Sequence, residues 1–253
     1  MSAAFGGRAA LVTGAGRGIG RAVAIELATG GAQVALLARS LGQLDEVAEA
    51  VRAQGGTAVV LLADVGDPEA VAEAAARAEK ELGPINILIN NAAVVQPVGP
   101  TVTASPTAWA SAFAVNVDAP FHFVQALLPS MLESGWGRIV SVSSGIAAHP
   151  GAMVGMNAYA ATKAALEAHT LNLAAELAGT GITVNVYRPG SVDTAMQEWF
   201  RNQPPDEIGA ALHEQFRVSH EQGTLITPAH SARSLIAHLV GKATGEIWTV
   251  DNA

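Results

Sequence analysis

The 253-residue sequence contains no cysteine. Disulfides, thiolate catalysis and thiolate metal sites are therefore excluded, although this absence does not identify the compartment. Charge is scarce at 14%, and basic charge scarcer still: 14 Lys and Arg stand against 22 Asp and Glu, giving a formal net charge of -8 with no basic block. Such a chain is poorly suited to a phosphate backbone, so no nucleic-acid partner is expected. Long hydrophobic runs are also missing, since the apolar stretches are strand-sized and fall short of the ~20 residues that span a bilayer. The opening "MSAAFGGRAALVTG" has no charged leader followed by an apolar segment. A soluble, cytoplasmic protein with no membrane partner is expected. Isolated ionisable residues such as His122 and Glu26 show no metal-ligand spacing, so no catalytic metal is expected.

What the sequence has in quantity is apolar residue, 50% of the chain, which suits one compact domain over residues 1–253 with a large core. Short β-branched or leucine-rich runs at 8–13, 32–38, 57–63, 85–90, 137–143 and 182–188 alternate with helix-like segments, and "GEIWTVD" at 245–251 reads as one more strand after a helix over 228–241. Each run is apolar on both faces of its pleat. That pattern predicts a doubly wound α/β fold, a parallel sheet of about seven strands covered by helices on both sides. Asp67-Pro68 and Ser105-Pro106 read as N-cap and first-turn pairs that open helices.

At the end of the first strand, "TGAGRGIG" (13–20) runs straight into a helical segment. Glycines at such a junction let the backbone approach a pyrophosphate, whose charge the free N–H groups of the helix start stabilise. The spacing is G-x-x-x-G-x-G through Gly14, Gly18 and Gly20, with Ile19 where the commoner dinucleotide pattern has its last glycine. Where the second strand ends, a fold that prefers NAD places an acid for the ribose hydroxyls; this chain has Ala38 and Arg39. Arg39, with Arg17 inside the loop, suits a 2′-phosphate and favours NADPH over NADH.

In "GMNAYAATKAALEAHT" (155–170), Tyr159 and Lys163 are four residues apart, about one helical turn, and so share a helix face. A neighbouring ammonium favours a phenolate, so the spacing predicts a Tyr159 pKa below the usual ~10 and an acid–base role. Ser143-Ser144 at the end of the fifth strand and Asn116 in "FAVNVDAP" add hydroxyl and amide groups near the carboxyl edge of the sheet.

Taken in order, "TGAGRGIG", Asp64, "NNAA" (90–93), Asn116, Ser144 with Tyr159 and Lys163, and "RPGSVDT" (188–194) resemble the short-chain dehydrogenase/reductase family, including its 3-oxoacyl-carrier-protein reductases and related carbonyl reductases, over residues 7–253. The resemblance implies a single Rossmann-type domain that binds NADP(H) and reduces a ketone or other carbonyl. It implies that Ser144 bonds the substrate oxygen, Tyr159 donates the proton, Lys163 holds the nicotinamide ribose, and Asn116 anchors a water leading from Lys163 to solvent. It further implies that Asp64 and the Val65 amide hold the adenine, that Asn91 lines the cleft and steadies the central strand, and that Pro189, Gly190, Val192 and Thr194 turn beneath the nicotinamide. Two features depart from the family pattern: Ala93 replaces a glycine, and fourteen residues separate Ser144 from Tyr159, which makes Ser143 a possible stand-in.

Substrate choice is expected to rest with Val94–Val98, His149–Met156 and a lid over 195–225 that carries Trp199 and Phe200. Family likeness implies a homotetramer, with a dimer as the alternative, and Trp248 is expected to face outward from the terminal edge strand. Two other functions stand beside carbonyl reduction: an NAD-linked alcohol dehydrogenase working oxidatively, and a non-catalytic nicotinamide-binding regulator.

Overall fold

A computed structural model of the chain describes residues 4–250; the expected strand residue Asp251 and the two that follow lie outside them. Seven strands form one sheet in the order β3-β2-β1-β4-β5-β6-β7, and every neighbouring pair is parallel. They are β1 (Ala9–Thr13), β2 (Gln33–Ala38), β3 (Ala58–Leu62), β4 (Ile85–Asn90), β5 (Gly137–Val142), β6 (Ile182–Arg188) and β7 (Ile247–Thr249). The strand order reverses between β1 and β4. A crevice therefore opens beyond their carboxyl ends, where ligands of doubly wound folds bind.

Helices α1 (Gly18–Thr29), α2 (Leu41–Arg52) and α3 (Pro68–Leu82) connect the first four strands. Two apolar clusters, one on each side of the sheet, form the core; Val34, Leu36 and Ile87 belong to one, and Ala35, Leu37 and Leu88 to the other. Adjacent strand residues thus alternate between two dry faces, the reason the runs read as apolar throughout. Asp67 caps α3 by accepting from the amides of Glu69 and Ala70, with Pro68 at the first position. Ser105 caps α4 (Pro106–Phe113) in the same way through Ala108 N.

One π-helical turn, Ala114–Asp118, joins α4 to α5 (Ala119–Ser134). Beyond β5, α6 (Asn157–Glu176) leads to β6, and then α7 (Ala195–Arg201), α8 (Pro205–Ile208) and α9 (Ala210–Glu221) make an excursion before α10 (Pro228–Leu239) and β7. That excursion is pinned at its base, where Asp193 N donates to Ile226 O and Ile226 N to Ser191 O.

The expected outward Trp248 is corrected. It is buried, its ring stacks on His238 at 5.0 Å, and its indole N–H donates to Glu246 Oε2. The edge strand shows Ile247 to solvent instead. No helix among the described residues is long and apolar enough to cross a membrane.

Candidate active site

A cavity of about 700 Å³ follows the carboxyl edge of the sheet. Gly14, Arg17, Gly18 and Ile19 line it beyond β1, Arg39 beyond β2, Asp64 and Val65 beyond β3, and Asn91 and Ala93 beyond β4. Ser144, Tyr159 and Lys163 line it beyond β5, and Pro189, Gly190, Val192 and Thr194 beyond β6. Of the expected catalytic and cofactor residues, Gly20 and Asn116 are not part of the lining, and of the residues named in the expected specificity segments Val98 and Trp199 are not.

Gly20 acts from within the loop. A Cβ there would stand 2.3 Å from Gly14 O and 2.5 Å from Asn91 Nδ2, so only glycine lets α1 start this close to β1. Gly14 adopts φ +64°, in the left-handed region that favours glycine. Asn91 donates from Nδ2 to Thr13 O at 2.9 Å and Gly14 O at 3.3 Å, while the Thr13 hydroxyl accepts the amides of Asn91 and Ala92. Thr13, the first residue of "TGAGRGIG", is thus a bracing residue to which the sequence gave no role of its own. The first turn of α1 contains no acid, and its Arg17 N-cap makes no side-chain capping bond, which leaves a positive helix end facing the cavity. These features fit a dinucleotide diphosphate. Arg39 Nη1 lies 3.6 Å from Asp64 Oδ2, and both side chains are more than half exposed, so the pair is weak and leaves the guanidinium available to an anion.

Asn116 is fully buried in the π turn. Its Oδ1 accepts Val94 N at 2.9 Å, and its Nδ2 donates to Val94 O at 2.8 Å and to Thr162 Oγ1 at 3.0 Å. The amide clamps the loop after β4 to α6 beside Tyr159 and Lys163. A π turn is what aims it there, consistent with the concentration of such turns at functional sites.

Tyr159 and Lys163 occupy one face of α6, as the spacing requires. Lys163 Nζ donates to Val142 O at 2.7 Å and lies 5.6 Å from the centre of the Tyr159 ring. The expected depression of the tyrosine pKa is corrected: burial dominates and pushes the phenol up to about 12, with only the hydrogen bond to Ser144 opposing it. Burial likewise pushes Lys163 down to about 8, against the pull of the Glu167 carboxylate. Ser143 is no substitute for Ser144, because its hydroxyl donates to Glu167 Oε1 at 2.7 Å beneath the site. Glu167 lies within "GMNAYAATKAALEAHT" and its partner Arg188 opens "RPGSVDT", but the sequence assigned neither a role.

Beyond Tyr159 the cavity wall is mostly apolar. Ile146, Met153, Met156, Met196, Phe200 and Phe216 line it, and the Phe200 and Phe216 rings stack 4.1 Å apart within 5° of parallel.

Residues 8–205 match the family described as short chain dehydrogenase. The chain is 38% identical to a short chain dehydrogenase of Pseudocercospora fijiensis over 81% of its own length and 64% of the relative's, so it spans just under two thirds of that protein. It is 35% identical to a 2,3-dihydro-2,3-dihydroxybenzoate dehydrogenase of Bacillus subtilis over 94% of this chain and 90% of that one. A Burkholderia cenocepacia short chain dehydrogenase, solved in complex with NADP, superposes with a TM-score of 0.83 at 34% identity over 98% of each chain. The chain is an oxidoreductase belonging to the short-chain dehydrogenase/reductase family.

Proposed function

We propose that the protein is an NADP(H)-dependent carbonyl reductase with Tyr159 as its general acid. The observation that carries this reading is a buried phenol, beside Ser144 and held protonated at neutral pH, on the wall of a cavity that also contains a glycine-rich loop. When bound, NADPH supplies the hydride. Gly14, Gly18 and Ile19 would hold its diphosphate, Asp64 and Val65 its adenine, Arg17 and Arg39 its 2′-phosphate, and Val192 and Thr194 its carboxamide. The complex of the Burkholderia neighbour with NADP supports this choice.

Ser144 donates to the substrate oxygen and orients the carbonyl. Tyr159 O–H then passes its proton to that oxygen as negative charge develops there. At about 12 the phenol stays protonated at neutral pH; it is a weaker acid than free tyrosine but still more acidic than the alcohol being formed, so proton transfer to the developing alkoxide remains downhill. Lys163, anchored on Val142 O, places its ammonium under the tyrosine ring, where it would also reach the nicotinamide ribose. Asn116 positions this pair by fixing Thr162 and Val94. The segment 195–225 is proposed as the lid, pinned at Ile226 and closing the apolar end of the cavity with Phe200 and Phe216.

Tyr159→Phe is the test. It should leave NADPH affinity nearly intact while kcat falls by the ~10²–10⁴ that loss of a general acid entails. A fully active, normally folded Tyr159→Phe protein would sink the assignment.

A homotetramer is proposed as the assembly. Phe121 and Leu132 on α5 are nearly half exposed, and β7 leaves one sheet edge unpaired among the described residues. A monomeric mass by light scattering at micromolar concentration would end that proposal.

A further inference from the structure

We propose that the substrate is an uncharged ketone bearing a bulky aromatic or alicyclic group, selected by the wall that α7 and α9 build beyond Tyr159. The inference rests on the reductase reading and deepens it.

The distribution of charge along the cavity is the first argument. Its charged lining residues are Arg17, Arg39, Asp64 and Lys163. The first three stand beyond β1 to β3, at the end of the cavity assigned to the adenosine half of the dinucleotide. Lys163 is buried beneath Tyr159 with its ammonium donating to Val142 O. Beyond Tyr159 no lysine, arginine, aspartate or glutamate lines the cavity among the described residues; the polar side chains there are His149, at the exposed rim, and Gln197 on α7. A carboxylate or phosphate carried into this end would lose its water without gaining an ionic partner.

The second argument is shape and softness. Phe200 comes from α7 and Phe216 from α9, and their parallel stack makes one apolar surface from two helices. Met153, Met156 and Met196 face the same space, and flexible thioethers adapt to a bulky apolar group while making favourable contacts with aromatic rings. Few hydrogen-bonding groups line this end, so a polyol would leave most of its hydroxyls without partners. An aromatic or alicyclic group instead exchanges apolar surface for apolar surface.

The experiment compares acetophenone with 4-acetylbenzoate, which adds a carboxylate to the same skeleton. With NADPH-loaded enzyme, kcat/KM should favour acetophenone by ~100-fold or more, as expected for stripping water from an unpaired carboxylate. Calorimetric binding of the two product alcohols to the NADP-loaded protein should show the same preference independently of turnover. Equal or better use of 4-acetylbenzoate would overturn the inference while leaving the reductase reading intact. Preferential binding of the neutral alcohol with no reduction of either ketone would overturn the reductase reading and uphold the pocket assignment. Met196→Lys places a cation in this wall and should lower the acetophenone to 4-acetylbenzoate ratio by ~10-fold or more, about the value of one well-placed ion pair. That ratio does not depend on the folded fraction of the preparation, so an unchanged ratio would show that this wall does not face the substrate.

Discussion

Glu167 lies one helical turn beyond Lys163 on α6 and binds Arg188 through both carboxylate oxygens, Nε to Oε1 at 2.9 Å and Nη2 to Oε2 at 2.7 Å. The same Oε1 accepts the Ser143 hydroxyl at 2.7 Å. Ser143 adjoins Ser144, and Arg188 adjoins Pro189. One buried carboxylate therefore ties the end of β5, next to Ser144, to the end of β6, next to Pro189. It also favours the charged form of Lys163 against burial. Glu167→Gln keeps an acceptor for Ser143 but removes the charge, leaving Arg188 uncompensated near Lys163. The Lys163 pKa should fall further, and the basic limb of the kcat/KM profile should move to lower pH. A purely structural role predicts a lower Tm with that limb unmoved.

Arg39 is the residue proposed to discriminate between the two nicotinamide cofactors. Its contact with Asp64, 3.6 Å between largely exposed groups, is worth at most ~1 kcal/mol and competes little with a phosphate. Arg39→Asp replaces a cation with an anion at the same place, and should weaken NADPH binding by ~10-fold or more while changing NADH binding much less. Equal losses for both cofactors, measured by fluorescence titration, would remove Arg39 from the 2′-phosphate.

Two of the loop glycines, Gly20 and Gly16, differ in what an added methyl would meet. At Gly20 the methyl would stand 2.3 Å from a backbone oxygen, Gly14 O, which is fixed by β1; at Gly16 it would stand 3.0 Å from Gln43 Cβ, whose neighbouring side-chain atoms can turn aside. Gly20→Ala should therefore lose ~1–3 kcal/mol of stability together with NADPH affinity, as overpacking at a rigid site does. Gly16→Ala should be milder in both. Similar Tm and NADPH affinity for the two variants would refute this account of the loop.

How far the fold could be read from the chain depended on whether a feature was local. The glycine loop, the Asp67 and Ser105 caps, and the one-turn separation of Tyr159 and Lys163 are all fixed within a few residues, so the sequence shows them directly. Asn116 was legible as a motif, but its π turn was not, because hydrogen-bond register within a helix leaves no trace in apolar periodicity. Glu167 and Arg188 are separated by the second half of α6 and the length of β6; nothing in the linear pattern says that they converge. Trp248 sits in a three-residue strand, too short for alternation to reveal which face turns inward. The direction of the Tyr159 shift was missed for a related reason. The sequence displays the neighbouring charge, whereas the burial that outweighs it belongs to the assembled fold.

Lys163 yields the last prediction, because its site works against stability. Its pKa falls from 10.5 to about 8, so below about pH 8 the folded protein keeps a buried charge that the unfolded chain leaves in water. Between those values the unfolded chain binds more protons than the folded one, and stability from this group rises with pH across the window. Tyr159 acts in the opposite sense. Its raised value, about 12 against 10.0, gives stability that is fully present below pH 10.0 and is lost as pH climbs toward 12. The Lys163 shift corresponds to roughly 3 kcal/mol, of which the lost bond to Val142 O returns about 1. Ligand-free Lys163→Met should therefore be more stable than the parent by ~2 kcal/mol near pH 7, and the gap should close as pH approaches ~10. The same variant should bind NADPH weakly and turn over slowly, since the group it removes serves the site at the expense of the fold. Chemical denaturation of both proteins at the two pH values decides the matter: a Lys163→Met protein less stable at neutral pH, or an advantage that does not change with pH, would show that the buried ammonium carries no such penalty.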